Sequence, residues 1–216
     1  MEASFWHGTW EQNKIAFHEH VPNRLMVANF KLLSLPKGAR VFVPLCGKSL
    51  DVHWLLSNGY RVAGAELSKI AIEQLFAELH VKPTITAMGK TSHWSADGID
   101  IFVGDIFDLS RGDLGQVEAI YDRAALVAFP EGMRGRYAAH LMEIADCAPQ
   151  LVICFEYDQR RLDGPPFSVG ADQVARYYQA SYDSKLLVTV DVPGGLKGQC
   201  PATETVWLLT RREARS

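Results

Sequence analysis

Between residues 39 and 158, short β-branched apolar runs alternate with stretches of helical periodicity, and this alternation limits the fold more than any other feature. "ARVFVPL" (39–45), "YRVAGAEL" (60–67), "IDIFVGD" (99–105), "VEAIYDR" (117–123) and "LVICFEYD" (151–158) read as strands. "SLDVHWLLSNG" (49–59) reads as a short helix ending on Gly59. "SKIAIEQLFAELH" (68–80) opens on Ser68 as N-cap and sets Ile72, Leu75, Phe76 and Leu79 on one face. Residues 131–146 and "ADQVARYYQASY" (171–182) are further helices, and "KLLVTVDV" (185–192) and "TETVWLLTRR" (203–212) form a final antiparallel pair. Strands that are apolar along their whole length must be covered on both faces. The expected fold is therefore α/β, a doubly wound, mostly parallel seven-stranded sheet with an antiparallel C-terminal edge. Before it, residues 5–34 carry apolar side chains at roughly helical spacing, broken near Pro22, and predict two helical pieces.

The stretch "VFVPLCGKS" (41–49) ends a strand in Gly-Lys-Ser and raises the question of a phosphate-binding loop. Such a loop needs a second glycine five positions before the first, so that backbone N–H groups can curl around the phosphates. That position is Phe42, and Leu45 and Cys46 fill the turn, so the loop is shaped for something else. A net charge of -3 provides no basic field for a polyanion, which argues against a nucleic-acid partner. The start "MEASFWHGTW" lacks both a basic and an apolar leader region, and no long uncharged apolar run follows; the expectation is a cytoplasmic protein without a membrane span. Cys46, Cys147, Cys154 and Cys200 lack paired spacing and read as reduced, mostly buried thiols.

In open α/β sheets ligands bind beyond the carboxyl ends of the strands. Those ends carry Leu45 to Lys48, Glu66, Gly104-Asp105 and Asp122-Arg123. A carboxylate there can simply cap the helix that follows, and Arg123 can form a structural ion pair. Glu66 is the most informative, standing 19 residues after Gly47, near the interval at which an acidic residue meets an adenosine ribose. No G-x-G-x-x-G precedes it, so a pyrophosphate has no close backbone approach, whereas an adenosyl ligand without phosphates needs none.

The ordered blocks "FWHGTWEQNKIAFHEH", "VFVPLCGKSLDVHWL", "GAELSKIAIEQLF", "GDIFDL", "YDRAALVA" and "EYDQRRLDGPPFSV" closely resemble the thiopurine S-methyltransferase family, in its bacterial branch. The resemblance runs over about residues 5–170 and more weakly to the end. It implies a class I, Rossmann-like S-adenosyl-L-methionine-dependent methyltransferase forming one domain over 1–216, with a helical lid at 1–34 and an α/β core at 39–216. It also implies that Trp10, Leu45, Glu66 and Arg123 contact the methyl donor, that Asp105 and Ile106 lie against its adenine, and that Phe17 is near the acceptor. Pro165, Pro166 and Phe167, in "GPPF", would wall the acceptor. The implied acceptor is a small aromatic or heterocyclic thiol, extending to reduced selenium or tellurium species, handled by a monomer. On this reading the Leu45–Ser49 turn passes the amino-acid end and sulfonium of the donor, and Lys48 and Ser49 begin a helix.

Each residue also has a plainer role. Trp6 and Trp10, four apart, can staple a helix to the core. His18 and His20 point to different sides of a helix, and the other histidines lack ligand spacing, so no metal is expected. Cys46 has no visible His-Asp partners, and direct transfer needs no covalent enzyme intermediate, which leaves it a packing role and assigns no catalytic base. The C-terminal loop "DVPGGLKGQCPATET" departs from animal relatives in offering only Lys197 where they carry an arginine. A nicotinamide-dependent oxidoreductase and a non-catalytic adenosine-ligand sensor remain the alternatives, separated by ligand binding and turnover.

Overall fold

In a computed structural model, which describes residues 3–15 and 18–213, the chain forms a nine-stranded sheet with helices on both faces. Five strands follow the expected alternation: β1 (Arg40–Pro44), β2 (Arg61–Glu66), then beyond an inserted hairpin β5 (Ile99–Val103), β6 (Ala119–Arg123) and β7 (Gln150–Tyr157). The hairpin is β3 (Thr84–Met88) and β4 (Thr91–Ala96), and β8 (Tyr182–Asp191) and β9 (Ala202–Arg211) close the chain. The order across the sheet is β3-β4-β5-β2-β1-β6-β7-β9-β8, with β5, β2, β1, β6 and β7 mutually parallel. β9 runs antiparallel to both β7 and β8, as the sequence suggests.

The hairpin corrects the expected count of seven strands to nine and places an antiparallel edge at both ends of the sheet. Its two-residue connection, Gly89-Lys90, has φ 57 at the glycine, the geometry that lets strands reverse tightly without splaying. β3 is exposed along most of its length and contributes no buried residue, so it carries little of the apolar signal by which strands are read.

Both faces of the parallel strands are covered because their side chains alternate between two cores. Phe42, Ala63, Ile120 and Val152 pack with Leu114 of the short α5 (Arg111–Leu114), α6 (Glu131–Ile144) and α7 (Ala171–Tyr178). Val41, Val43, Val62, Tyr121 and Ile153 pack with α2 (Arg24–Asn29), α3 (Leu50–Ser57) and α4 (Lys69–Glu78) on the other face. Fully burying one such aliphatic side chain stabilises the fold by about 1.5–3 kcal/mol. Before the sheet, α1 (Ala3–Glu11) and α2 are the two N-terminal helical pieces, α2 continuing into a 3-10 turn at Phe30–Leu33.

Helix starts follow the sequence. Ser49 Oγ accepts from the Asp51 amide at 3.1 Å and opens α3, and Ser68 Oγ accepts from the Ala71 amide at 3.3 Å and opens α4. All four cysteines are free, with Cys46, Cys154 and Cys200 buried. Among the described residues no helix is long and apolar enough to cross a membrane.

Candidate functional site

β1 is flanked by β2 on one side and β6 on the other, so the chain leaves the end of β1 at the point where the strand order reverses. There Leu45 holds φ 49 and Gly47 φ 50, a tight left-handed turn in which a leucine is strained. The Trp10 indole lies over this turn: a Cβ placed on Gly47 would come within 3.2 Å of its Cζ2. Trp10 is buried, so the glycine both permits the turn and admits the ring that fastens α1 to it. Cys46 Sγ fills the space beside Gly64 of β2, where a Cβ would meet it at 2.9 Å, in keeping with a packing role.

Glu66 ends β2, and both its carboxylate oxygens are held: Oε2 accepts from the Gly47 amide at 2.9 Å and Oε1 from the Ser68 amide at 2.8 Å. Burial pushes its pKa up, against the pull of these amides and that of Leu67. Each oxygen retains a second lone pair. The other two strand-end carboxylates also serve the turn that follows them. Asp105 Oδ1 accepts from the Phe107 amide at 2.9 Å, and Asp122 Oδ1 from the Leu126 amide at 3.0 Å. Ile106, next to Asp105, is buried against the core, and its carbonyl accepts from His140 Nε2 at 2.7 Å.

Asp122 and Arg123 are neighbours that face opposite sides of the sheet. Asp122 turns toward α6, where Tyr137 donates its hydroxyl at 2.8 Å; burial raises its pKa to about 6. Arg123 turns toward α3, and its ion-pair partner is Asp51: Nε donates to Asp51 Oδ2 at 2.9 Å, while Nη1 meets Glu19 at 3.2 Å. Burial works against the guanidinium charge, yet Tyr121, Asp51 and Glu19 outweigh it and leave its pKa raised. Among the described residues, Nη2 carries no further hydrogen bond. The segment that bears Glu19 lies close over the turn, since His18 is within electrostatic reach of both Lys48 and Arg123; burial and then Lys48 lower its pKa. Lys48 itself pairs with Glu78 at the end of α4, at 2.8 Å, which gives the Gly-Lys-Ser lysine a structural partner.

The 164–167 loop hangs from the exit of β6, where the Phe167 amide donates to the Val127 carbonyl at 2.6 Å. The Gly164–Pro165 and Pro165–Pro166 bonds are both cis. The loop is fixed from two sides: Tyr157 Oη donates to the Pro166 carbonyl and Lys197 Nζ to the Pro165 carbonyl, each at 2.7 Å. Lys197 thereby ties the glycine-rich C-terminal loop to this wall. The Phe167 ring is turned toward α6, with the buried Arg134 guanidinium 5.7 Å from its centroid. A cleft of about 510 Å³ behind it, lined by Arg134, Glu156, Tyr157 and Gln173, includes no other strand-end or wall residue expected to bind ligand. Phe17 lies outside the described residues. Among the described residues no group of three or more His, Cys, Asp or Glu side chains is placed to hold a metal ion.

Asp51, Tyr121, Glu19 and Arg134 are the residues that sequence reading passes over. Asp51 has the one available signal, an acidic residue in the first turn of a helix, which ordinarily means dipole compensation.

A strand order of this kind, with a phosphate-free turn between an acidic strand end and a strand-end arginine, defines a class I methyltransferase fold, and the solved structures agree. A Burkholderia thailandensis 1,6-didemethyltoxoflavin-N1-methyltransferase with bound S-adenosylhomocysteine matches with a TM-score of 0.66 at 15% identity, over 96% of this chain and 87% of that one. An S-adenosylmethionine-dependent methyltransferase from Anabaena variabilis matches with a TM-score of 0.65 at 13% identity, over 97% of this chain and 95% of that one. At such identities the likeness is one of fold. Sequence carries it further: the family model for thiopurine S-methyltransferase matches residues 1–212. A thiopurine S-methyltransferase of Xanthobacter autotrophicus is 56% identical over 212 residues, 98% of this chain and 100% of the relative. One from Teredinibacter turnerae is 50% identical over 211 residues, 98% of both chains. The chain belongs to the thiopurine S-methyltransferase family and is an S-adenosyl-L-methionine-dependent methyltransferase. The dinucleotide-oxidoreductase and sensor readings fall with that.

The residues at the rim of the sheet fit the donor. Glu66 has lone pairs to spare for hydroxyl donors, Arg123 has Nη hydrogens for a carboxylate, and the turn between them lacks the glycine pair a pyrophosphate requires.

Proposed function

We propose that the protein methylates the sulfur of small aromatic or heterocyclic thiols, thiopurines among them, and by the same chemistry reduced selenium or tellurium species, acting as a cytoplasmic monomer with no nucleic-acid partner. The observation that carries the donor half is the turn at Leu45–Gly47, bracketed by Glu66 and Arg123 and covered by Trp10. The thiol half rests on the names of the relatives, which share half or more of their residues with this chain.

When bound, the donor supplies a methyl group already activated on a sulfonium. The chain's part is to bind, orient and keep out water. Arg123 offers the donor carboxylate the guanidinium hydrogens that Asp51 and Glu19 leave open, those of Nη2 first. Glu66 accepts from the ribose hydroxyls, and Asp105 and Ile106 flank the adenine. Trp10 presents an aromatic face to the positive sulfur, an attraction of roughly 0.5–2 kcal/mol. Phe17 and the Pro165-Pro166-Phe167 wall hold the acceptor in line, and such positioning can lower a barrier by about 7–11 kcal/mol in favourable cases. An aromatic thiol is acidic enough to arrive as the thiolate, which is why no side chain is assigned as base. Covering by residues 1–34 excludes water from a reaction in which opposite charges cancel.

The test is turnover of methyl-labelled donor against a panel of aromatic thiols, purine thiones, selenite-derived species and phenols. Label on sulfur or selenium and none on phenol oxygen is expected. Transfer to nitrogen or oxygen acceptors alone would overturn the thiol assignment.

A further inference from the structure

Asp51 is buried, and its two oxygens serve different parts of the molecule. Oδ1 accepts from the backbone amide of Asn23 at 2.7 Å. Asn23 in turn caps α2, its side-chain oxygen accepting from the Leu25 and Met26 amides at 3.0 Å each. Oδ2 accepts from the Tyr121 hydroxyl and from Arg123 Nε, each at 2.9 Å. A buried carboxylate is tolerated when donors surround it, and here the donors come from the N-terminal region and from the end of β6.

We propose that Asp51 is the positioning residue for Arg123: it grips the guanidinium by Nε, which fixes the plane of the fork and, with Nη1 meeting Glu19, leaves Nη2 for the donor carboxylate, and it ties that orientation to the seating of the N-terminal region. This rests on the reading that Arg123 binds the donor. Tyr121, on the same face of β6 two residues earlier, shares Oδ2 and limits the swing of the Asp51 carboxylate. The chain thus builds one device out of a helix start, a strand end and a cap. Its two halves depend on different oxygens, so they can be separated by substitution. In Asp51→Asn an acceptor oxygen remains for the Asn23 amide, while an N–H group replaces the oxygen that took two hydrogens, and Arg123 loses its anchor.

The experiment is a double-mutant cycle on S-adenosylhomocysteine affinity by calorimetry, with thermal unfolding recorded for each variant and donor and acceptor KM measured separately. Arg123→Ala is expected to weaken binding by about tenfold or more, and Asp51→Asn by a similar factor alone but by less than about twofold in the Arg123→Ala background, because the two act through one contact. Donor KM should rise in Asp51→Asn far more than acceptor KM, a split that general loosening of the fold would not give. If Asp51→Asn does not fold, Tyr121→Phe takes its place in the cycle, with an expected loss of about threefold that again vanishes beside Arg123→Ala. Wild-type affinity in Asp51→Asn, or equal losses in both backgrounds, overturns the inference. Wild-type affinity in Arg123→Ala overturns the donor-carboxylate reading of Arg123 and the inference with it.

Discussion

The amide of Gly47 donates to Glu66 Oε2 at 2.9 Å, so the 19-residue interval that separates them along the chain closes into a single hydrogen bond. Adjacent parallel strands place β1 and β2 ends side by side, and the bond locks the turn after one to the carboxylate that ends the other. Shape of the turn and position of the acid are therefore not independent.

Glu66→Ala should weaken S-adenosylhomocysteine binding by about tenfold or more, from charge-assisted bonds worth roughly 1.5–3 kcal/mol each. It also orphans the Gly47 and Ser68 amides, so the variant should melt below wild type. Calorimetry and thermal unfolding check both, and unchanged affinity would remove Glu66 from the donor site.

Gly47→Ala should loosen α1 from the turn. The added methyl would stand 3.2 Å from the Trp10 ring on a residue at φ 50, a combination expected to cost about 1–2 kcal/mol. Altered tryptophan fluorescence with reduced donor affinity is the expected pair of readouts. A wild-type spectrum would mean the ring is not seated on the glycine in solution.

Lys197→Met should raise the KM for the acceptor by roughly threefold and leave donor affinity unchanged, because it removes the Nζ bond to the Pro165 carbonyl without touching the turn at Gly47. Steady-state kinetics with each substrate varied in turn decides this. A change confined to donor KM would detach the 191–200 loop from the acceptor wall.

Asp122 predicts a pH dependence of stability. Its pKa is about 6 folded against 3.8 for the free side chain, so between those values the folded chain holds more proton than the unfolded one. Stability therefore falls as pH rises through that window, by up to about 3 kcal/mol once Asp122 is ionised. In Asp122→Asn the side-chain oxygen can still accept from Leu126 and the amide can donate to Tyr137, and the pH-dependent loss disappears. Urea unfolding at pH 5 and pH 8 should show a steeper drop for wild type than for the variant. Parallel drops would mean that other groups set the pH profile.

The strands of the parallel core were legible because they are buried on both faces and are mostly apolar, as in Val41-Phe42-Val43, with single acids such as Asp100 and Asp122 interrupting β5 and β6. The β3–β4 hairpin was not, because Thr84–Met88 faces solvent and Gly89-Lys90 is a weaker turn signal than Asn-Gly. At the site, Glu66 and Arg123 stood out by ending strands. Asp51 did not, since nothing local to "SLDVHWLL" says that its carboxylate reaches 72 residues ahead to Arg123 and 28 back to Asn23. Long-range hydrogen bonds leave no mark on periodicity or spacing. The same holds for Arg134, which pattern alone would assign to the surface of α6 and which is buried against Gln173 and the Phe167 ring.

Cys46 sits in the very turn proposed to meet an electrophilic methyl group, and its thiol is an acceptor in principle. Burial, with Glu66 nearby, pushes its pKa well up, and its sulfur is packed toward Gly64. Since the thiolate is the reactive form, a thiol kept protonated competes poorly for alkylation by the methyl donor. A nucleophile can thus stand beside an alkylating donor without being spent by it.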